Sequence, residues 1–504
     1  MTTTTIKPGL AQTSLPSMRA EALALLALSW PIILTMLSRL ALTTTDFFFV
    51  SRLGTDATAA ISPSTIFVFT VICLGMGAAT SIQTFVAQAM GRGRPYEAAS
   101  YAWQGFYIAA LLAVISLPAS LLAGPFWRLV GNAPEVQRLE VAYCQIAFWC
   151  MGFSIICASL DGFFNGIQKP IVGLVSVFVS VVFNAIANYL LVFGKLGFPA
   201  LGIRGSAIAT VIAWGIRAAM LTAVFLSMRF HERFRTRSSA RFDVTKFGGI
   251  LRLGGPIAIQ WVLDIGSWFV FLTLLMGEFG TQAMAASNIG LQLMHISFMP
   301  AIGLGIGMCS LIGHAIGERK PDLAARRATV GMWMTGLYMG GIGLLFWLAR
   351  TPLMRLLSND AEVIQLGGNV LIWAAIFQVF DAAQITYVNA LRGAGDTRWP
   401  AIVVAAHCWI IFIGGGYLMA KWYPQLGLNG PWMTCTLYIT LLGLALRRRF
   451  ARGAWRKIDL FKERLTGGLP VVPVDGEPDV PTMSSVASAK PALMDVAGAD
   501  GAQS

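Results

Sequence analysis

Charge is what this sequence has least of. Of its 504 residues only 12% are Asp, Glu, Lys or Arg, whereas 56% are hydrophobic, and the mean hydropathy is +0.67. So few charges cannot solvate the surface of a soluble chain of this length, so an integral membrane protein is indicated instead. Histidine is scarcer still. His231, His295, His314 and His407 are scattered, no HExxH occurs, and no nucleophile motif appears, which argues against a membrane-embedded enzyme. The seven cysteines are odd in number, form no CxxC pair and lie almost entirely in apolar runs, so they read as small hydrophobes rather than a disulfide frame or zinc site. No cofactor is expected.

What the chain does have is long apolar stretches. Runs able to cross roughly 30 Å of hydrocarbon as helices fall near 22–50, 58–90, 98–123, 139–164, 171–194, 205–228, 250–276, 284–316, 328–349, 361–391, 400–420 and 430–446. The expected fold is therefore an all-α integral membrane protein with twelve transmembrane helices in two six-helix bundles. The expected organisation is a cytoplasmic segment 1–20, an N-lobe 21–228, a basic linker 229–249, a C-lobe 250–447, and a basic then disordered tail 448–504. The first run continues past Leu40 without a cleavage signal, so it reads as a span and not a signal peptide.

Basic residues are unevenly distributed. About 25 lie in one set of connections and about 8 in the alternate set, which by the positive-inside bias places both termini in the cytoplasm. This bias, together with attraction to anionic lipid, accounts for the net charge of +13 without any nucleic-acid partner.

The two halves repeat. An offset of 226 pairs "RLGTDATAA" (52–60) with "EFGTQAMAA" (278–286), Gly77 with Gly303, Gly91 with Gly317 and Pro95 with Pro321. An offset of 225 pairs "PII" at Pro31 with "PIA" at Pro256, and "FPALGIRG" (198–205) with "YPQLGLNG" (423–430). Since six spans separate equivalent positions, the halves share one orientation and are related by an axis along the membrane normal. Two such bundles facing each other create a central cleft, the geometry that alternating access requires.

An acid inside a span costs several kcal/mol, about 2.5–3.5 on insertion scales, and is by default a functional hypothesis. Three stand out: Asp46 in "ALTTTDFFF", Asp264 in "QWVLDIGSW" and Asp381 in "FQVFDAAQ". Gln260 precedes Asp264 by four residues and Gln384 follows Asp381 by three, so each acid has an amide on its own helix face. Asn184 and Asn188, four apart in "FNAIANY", offer the first bundle a pair of side-chain oxygens, or else glue helices together. Each acid has a structural alternative: Asp46 beside Arg39 or Arg52 at a helix end, and Asp264 and Asp381 paired with a nearby arginine. Asp161 reads as structural. A buried carboxylate can exchange a proton as water access changes, or hold Na+ with amide and backbone oxygens, and Asp264 and Asp381 are the candidate Na+ ligands. Met284, Met294 and Met299 could form an adaptable apolar wall for bulky organic cations. Pro31, Pro63, Pro118, Pro256 and Pro300 allow kinks.

In this order, and with the duplication, "PIILTMLSRLALTTTDFFFVSRLGTDATAA", "VAQAMGRGRPYEAA", "NAIANYLLVFGKLGFPALGIRGSAIAT" and "FDAAQITYVNALRGAGDTRWP" resemble the MATE multidrug and toxin extrusion transporters over about residues 20–450. The resemblance implies a twelve-helix, V-shaped antiporter of a bacterial inner membrane. Such a protein expels cationic or amphipathic drugs in exchange for Na+ or H+ and is expected to be monomeric. Residue by residue, Asp46 matches the first-helix acid, Asn184 the fifth-helix asparagine and Asp381 the tenth-helix acid. Asn188, where the DinF-type branch tends to have Asp, matches the NorM-type branch. Asp264 stands where that branch usually has Glu. The alternative in the same superfamily is a lipid-linked glycan flippase, which would need basic residues lining the cleft for a pyrophosphate; within the spans only Arg39 and Arg217 are candidates.

Overall fold

A computed structural model describes residues 16–461. The expected N-terminal segment up to residue 15 and the expected disordered tail after 461 lie outside the described residues. Among the described residues, all regular structure is helical.

The first half comprises α1 (Met18–Ser51), α2 (Thr55–Gly91), α3 (Pro95–Val130), α4 (Pro134–Ala147), α5 (Cys150–Gly166), α6 (Ile171–Phe193) and α7 (Ile203–Phe225). A short α8 (Met228–Phe234) follows. The second half comprises α9 (Val244–Val270), α10 (Thr281–Gly317), α11 (Pro321–Leu348), α12 (Arg350–Arg355), α13 (Ala361–Gly393), α14 (Arg398–Ala406), α15 (Gly415–Trp422) and α16 (Asn429–Ala451). Ten of these helices, counting α9 with its extension and α14 through α15 as one each, are long and apolar enough to cross a membrane. The α4–α5 pair, bent by 50°, makes an eleventh. α16, expected as the twelfth, has 23 residues, about 35 Å of helix, but carries Thr434, Thr436 and Thr440 and ends in a run of arginines, which makes it the least apolar. Large side chains such as Leu121, Leu129 and Leu337 are 76%, 88% and 81% exposed. That would be a liability in water, but it is the normal surface of a protein solvated by acyl chains.

Proline is not where the backbone departs most from an α-helix. Pro31, Pro63, Pro118, Pro256 and Pro300 all sit inside continuous helices, whereas π-helical turns occur at Phe271–Leu275 and His407–Gly414. The 50° bend at Phe148–Trp149 contains no proline.

The halves meet through small residues. A Cβ on Gly77 of α2 would lie 2.3 Å from the Ala258 nitrogen of α9, and one on Gly303 of α10 would lie 2.6 Å from Ile33 Cγ1 of α1. Only hydrogen at these positions lets the backbones approach so closely. Gly77 and Gly303 are repeat-equivalent, and so are the helices they touch. Toward the basic connections the seam is also hydrogen-bonded: Gln83 Nε2 donates to the Ile306 carbonyl (2.8 Å), Gln88 Nε2 to the Gly393 carbonyl (3.0 Å) and Ser310 Oγ to the Asn165 carbonyl (2.6 Å). An ion pair joins Glu21 and Arg327 at 2.8 Å.

The connecting segment is less free than its polar sequence implies. Trp103 Nε1 donates to the Thr236 carbonyl (2.6 Å) and Gln104 Nε2 to the Arg241 carbonyl (2.9 Å), holding it against α3, and Asp243 caps α9 through the Thr245 and Lys246 amides. Beyond the expected lobe end at 447, α16 runs on to Ala451. Trp455 is buried and stacks on Phe450, Arg449 pairs with Asp396 at 2.8 Å, and Arg92 pairs with Asp459 at 2.6 Å. Trp455 turns inward while Arg452, Arg456 and Lys457 beside it stay exposed.

Candidate functional site

α6 carries Ser176, Ser180, Asn184 and Asn188 at four-residue spacing, one polar stripe on an otherwise apolar helix, and all four are buried. The stripe faces α1, where Asp46 is 5% exposed. Its Oδ1 accepts from Asn184 Nδ2 (3.0 Å) and Asn188 Nδ2 (2.7 Å), and its Oδ2 accepts from Thr210 Oγ1 of α7 (2.7 Å). All three donors are neutral. Because both amides turn nitrogen toward the carboxylate, their oxygens face away, and the buried Oδ1 atoms of Asn184 and Asn188 have no hydrogen-bond partner among the described residues. Asp46 lines a cavity of about 850 Å³, walled mainly by α1, α2 and α4 to α7, with Gln292, His295 and Ile296 of α10 on one side.

A second cavity, about 370 Å³, lies between the halves. Asp264 (α9) and Asp381 (α13) both line it, with Gln260, Gln384, Trp261, Arg392 and Tyr438. Asp264 Oδ1 has Cys408 Sγ at 3.5 Å, a weak donor. The amides expected beside each acid line the same cavity, although neither bonds its acid. Arg392 lies over the Trp261 ring at 6.0 Å, and eleven residues separate it from Asp381, about 16 Å along α13. Among the described residues none of Asp46, Asp264 and Asp381 forms an ion pair.

The methionine wall is a correction. Met294 is fully buried in the packing of the second half, Met284 packs against that core, and none of Met284, Met294 and Met299 lines either cavity. On α10 the central cavity is lined by Phe298, Ile302 and Ile306, while Gln292 and His295 line the first cavity. Met36 and Met76 line the central cavity instead.

Sequence reasoning also missed a cluster. Asp161, read as a structural residue, accepts from Arg39 Nη2 (2.6 Å) and from Arg217 Nη2 at both oxygens (2.9 and 2.8 Å), and it lines the central cavity. The signal was available: the offset of 225 that superposes Pro31 on Pro256 superposes Arg39 on Asp264.

The MatE family profile matches residues 31–190 and 256–418, one stretch in each half. This chain belongs to the MatE family. The match breaks between the repeats, as the duplication requires. Among MatE relatives, the probable multidrug resistance protein NorM of Rhizobium meliloti is 32% identical over 85% of this chain and 93% of its own length, and that of Mesorhizobium japonicum is 31% identical over 86% and 94%. The Vibrio cholerae MATE transporter VcmN, solved in a bent form, superposes with a TM-score of 0.77 at 20% identity over 86% of this chain and 97% of its own. At that identity the likeness is one of fold, a multi-pass membrane transporter fold.

Proposed function

We propose that this protein is a secondary active multidrug efflux antiporter of the bacterial inner membrane, with both termini cytoplasmic. It exports cationic or amphipathic organic compounds in exchange for Na+ or H+ by alternating access of the 21–228 and 250–447 lobes. It acts as a monomer and is a transporter rather than an enzyme. Support comes from the NorM-named relatives and above all from one observation: Asp46, Asp264 and Asp381 line two cavities, and among the described residues none of them forms an ion pair.

Each of these acids can respond to its surroundings in a different way. Asp46, with Thr210 and two amide oxygens awaiting a partner, offers hard oxygen donors to Na+, or takes a proton once the amides turn. Asp264 and Asp381 repel each other across the cavity they share, so binding of an organic cation or a coupling ion relieves them, and the two ligands compete for the same charge. Competition of this kind is what exchange requires: each ligand displaces the other, on the side to which the cleft is open. The seam of Gln83, Gln88 and Ser310 closes the side bearing the basic connections, and reopening it must break these bonds and the Glu21–Arg327 ion pair and part the close-packed glycines. A flippase fits less well, since Asp264 and Asp381 form no ion pair among the described residues and would repel a pyrophosphate in the central cavity they line.

The test is efflux of a fluorescent organic cation from proteoliposomes under an imposed Na+ gradient and, separately, an imposed pH gradient. One of the two should drive efflux. If neither does, the antiport reading is overturned.

A further inference from the structure

The Arg39–Asp161–Arg217 cluster contains two guanidinium groups and one carboxylate. Its residues come from α1, α5 and α7, all in the first half. Arg217 is almost wholly buried, its side chain 2% exposed, and its cation face is covered by the Trp214 ring at 5.7 Å. Beyond the bonds to Asp161, the buried Nε and Nη1 of Arg217 and Nε of Arg39 have no hydrogen-bond partner among the described residues. Asp46, two turns further along α1, gives its carboxylate to Asn184, Asn188 and Thr210 and to neither arginine. The cluster is thus one negative charge short in a low-dielectric setting, where an uncompensated guanidinium is costly.

Its accessible member is Arg39. The side chain is 27% exposed and lines both cavities, so it stands where they adjoin. The repeat adds the second observation. Arg39 and Asp264 occupy equivalent positions in α1 and α9 at the 225 offset, and both line the central cavity. The duplication has therefore placed opposite charges at matching sites, one from each half. The central cavity thus has Asp264 and Asp381 on its second-half wall, with Arg392, and the net-positive Arg39–Asp161–Arg217 cluster behind Arg39 on its first-half wall.

We infer that Arg39, held in place by Asp161 and backed by Arg217, is the specificity-determining residue that receives a ligand's carboxylate in the central cavity, with the ligand's cationic group toward Asp264 and Asp381. A planar guanidinium suits a carboxylate because its N–H groups match two oxygens in one plane. This deepens the efflux reading and rests on it.

The experiment compares two dyes that differ only at the carboxyl group, tetramethylrhodamine free acid and its methyl ester. Binding is read by fluorescence polarisation on the full chain in nanodiscs. Arg39→Gln should weaken the acid about tenfold and the ester by less than threefold, and Arg39→Lys should recover part of the loss. On the unmodified protein, benzoate should displace the acid and leave the ester bound, a readout that holds even if Arg39→Gln unfolds. Equal weakening of both dyes by Arg39→Gln, no weakening of the acid, or benzoate acting on both dyes alike would overturn the inference while leaving efflux standing. Failure of the unmodified protein to bind either dye would overturn both.

Discussion

The two halves derive from one repeat yet present their acids differently. In the first half a single carboxylate, Asp46, is saturated by three neutral donors at 2.7 to 3.0 Å. In the second, Asp264 and Asp381 share one cavity, and Asp264 has the thiol of Cys408, a weak donor, at 3.5 Å. In the first half three donors already hold the charge, so a cation entering this site must displace them and turn the amide oxygens inward. A poorly bonded pair of like charges favours whatever cation enters, large or small. The comparison shows that a duplicated fold can surround one acid with donors in one half and leave two acids facing a shared cavity in the other.

The largest effect should come from dissolving the pair. The double replacement Asp264→Asn with Asp381→Asn should reduce organic-cation efflux about 100-fold or more, because no charge remains to be neutralised; drug susceptibility of cells with equal protein levels reads this. Asp46→Asn should cost about tenfold in the same assay and should leave binding of an organic cation to the central cavity nearly intact, which separates the two halves. If that replacement abolishes organic-cation binding as well, that separation is wrong. Thr210→Val removes one of the three donors while keeping the shape. A hydrogen bond to a charged group is worth about 1.5–3 kcal/mol, so the half-saturating concentration of the coupling ion should shift by about tenfold with the maximal efflux rate much less affected. The smallest effect concerns the seam both halves share. Gln83→Leu deletes the bond to the Ile306 carbonyl and should lower stability by about 1 kcal/mol, read as a drop of a few degrees in thermal unfolding of the purified protein.

Much of this was legible in the sequence, for physical reasons. Spans can be read because hydrocarbon tolerates almost no charge for about 20 residues, and Asp46, Asp264 and Asp381 stand out against that background. The Asn184–Asn188 spacing already put both amides on one face. Pairing across the fold was not legible: Asp161 meets partners 122 and 56 residues away, and no periodicity encodes which helices touch. The methionines of α10 were equally hard to place, since an apolar side chain suits lipid, core and cleft alike, and Met284 and Met294 pack in the core of the second half. Trp455 shows the same limit at the end of the described chain, where a basic stretch concealed an aromatic anchor.

The central claim is that carboxylates without a counter-charge, facing the cleft, convert an ion gradient into efflux. Its most direct test is gradient-driven efflux of a fluorescent cation from proteoliposomes carrying either the unmodified protein or Asp381→Asn, at matched reconstitution. The expected result is efflux that follows the imposed gradient in the first and none above leak in the second, with the variant still folded by thermal unfolding. Equal gradient-driven efflux from both would contradict the account.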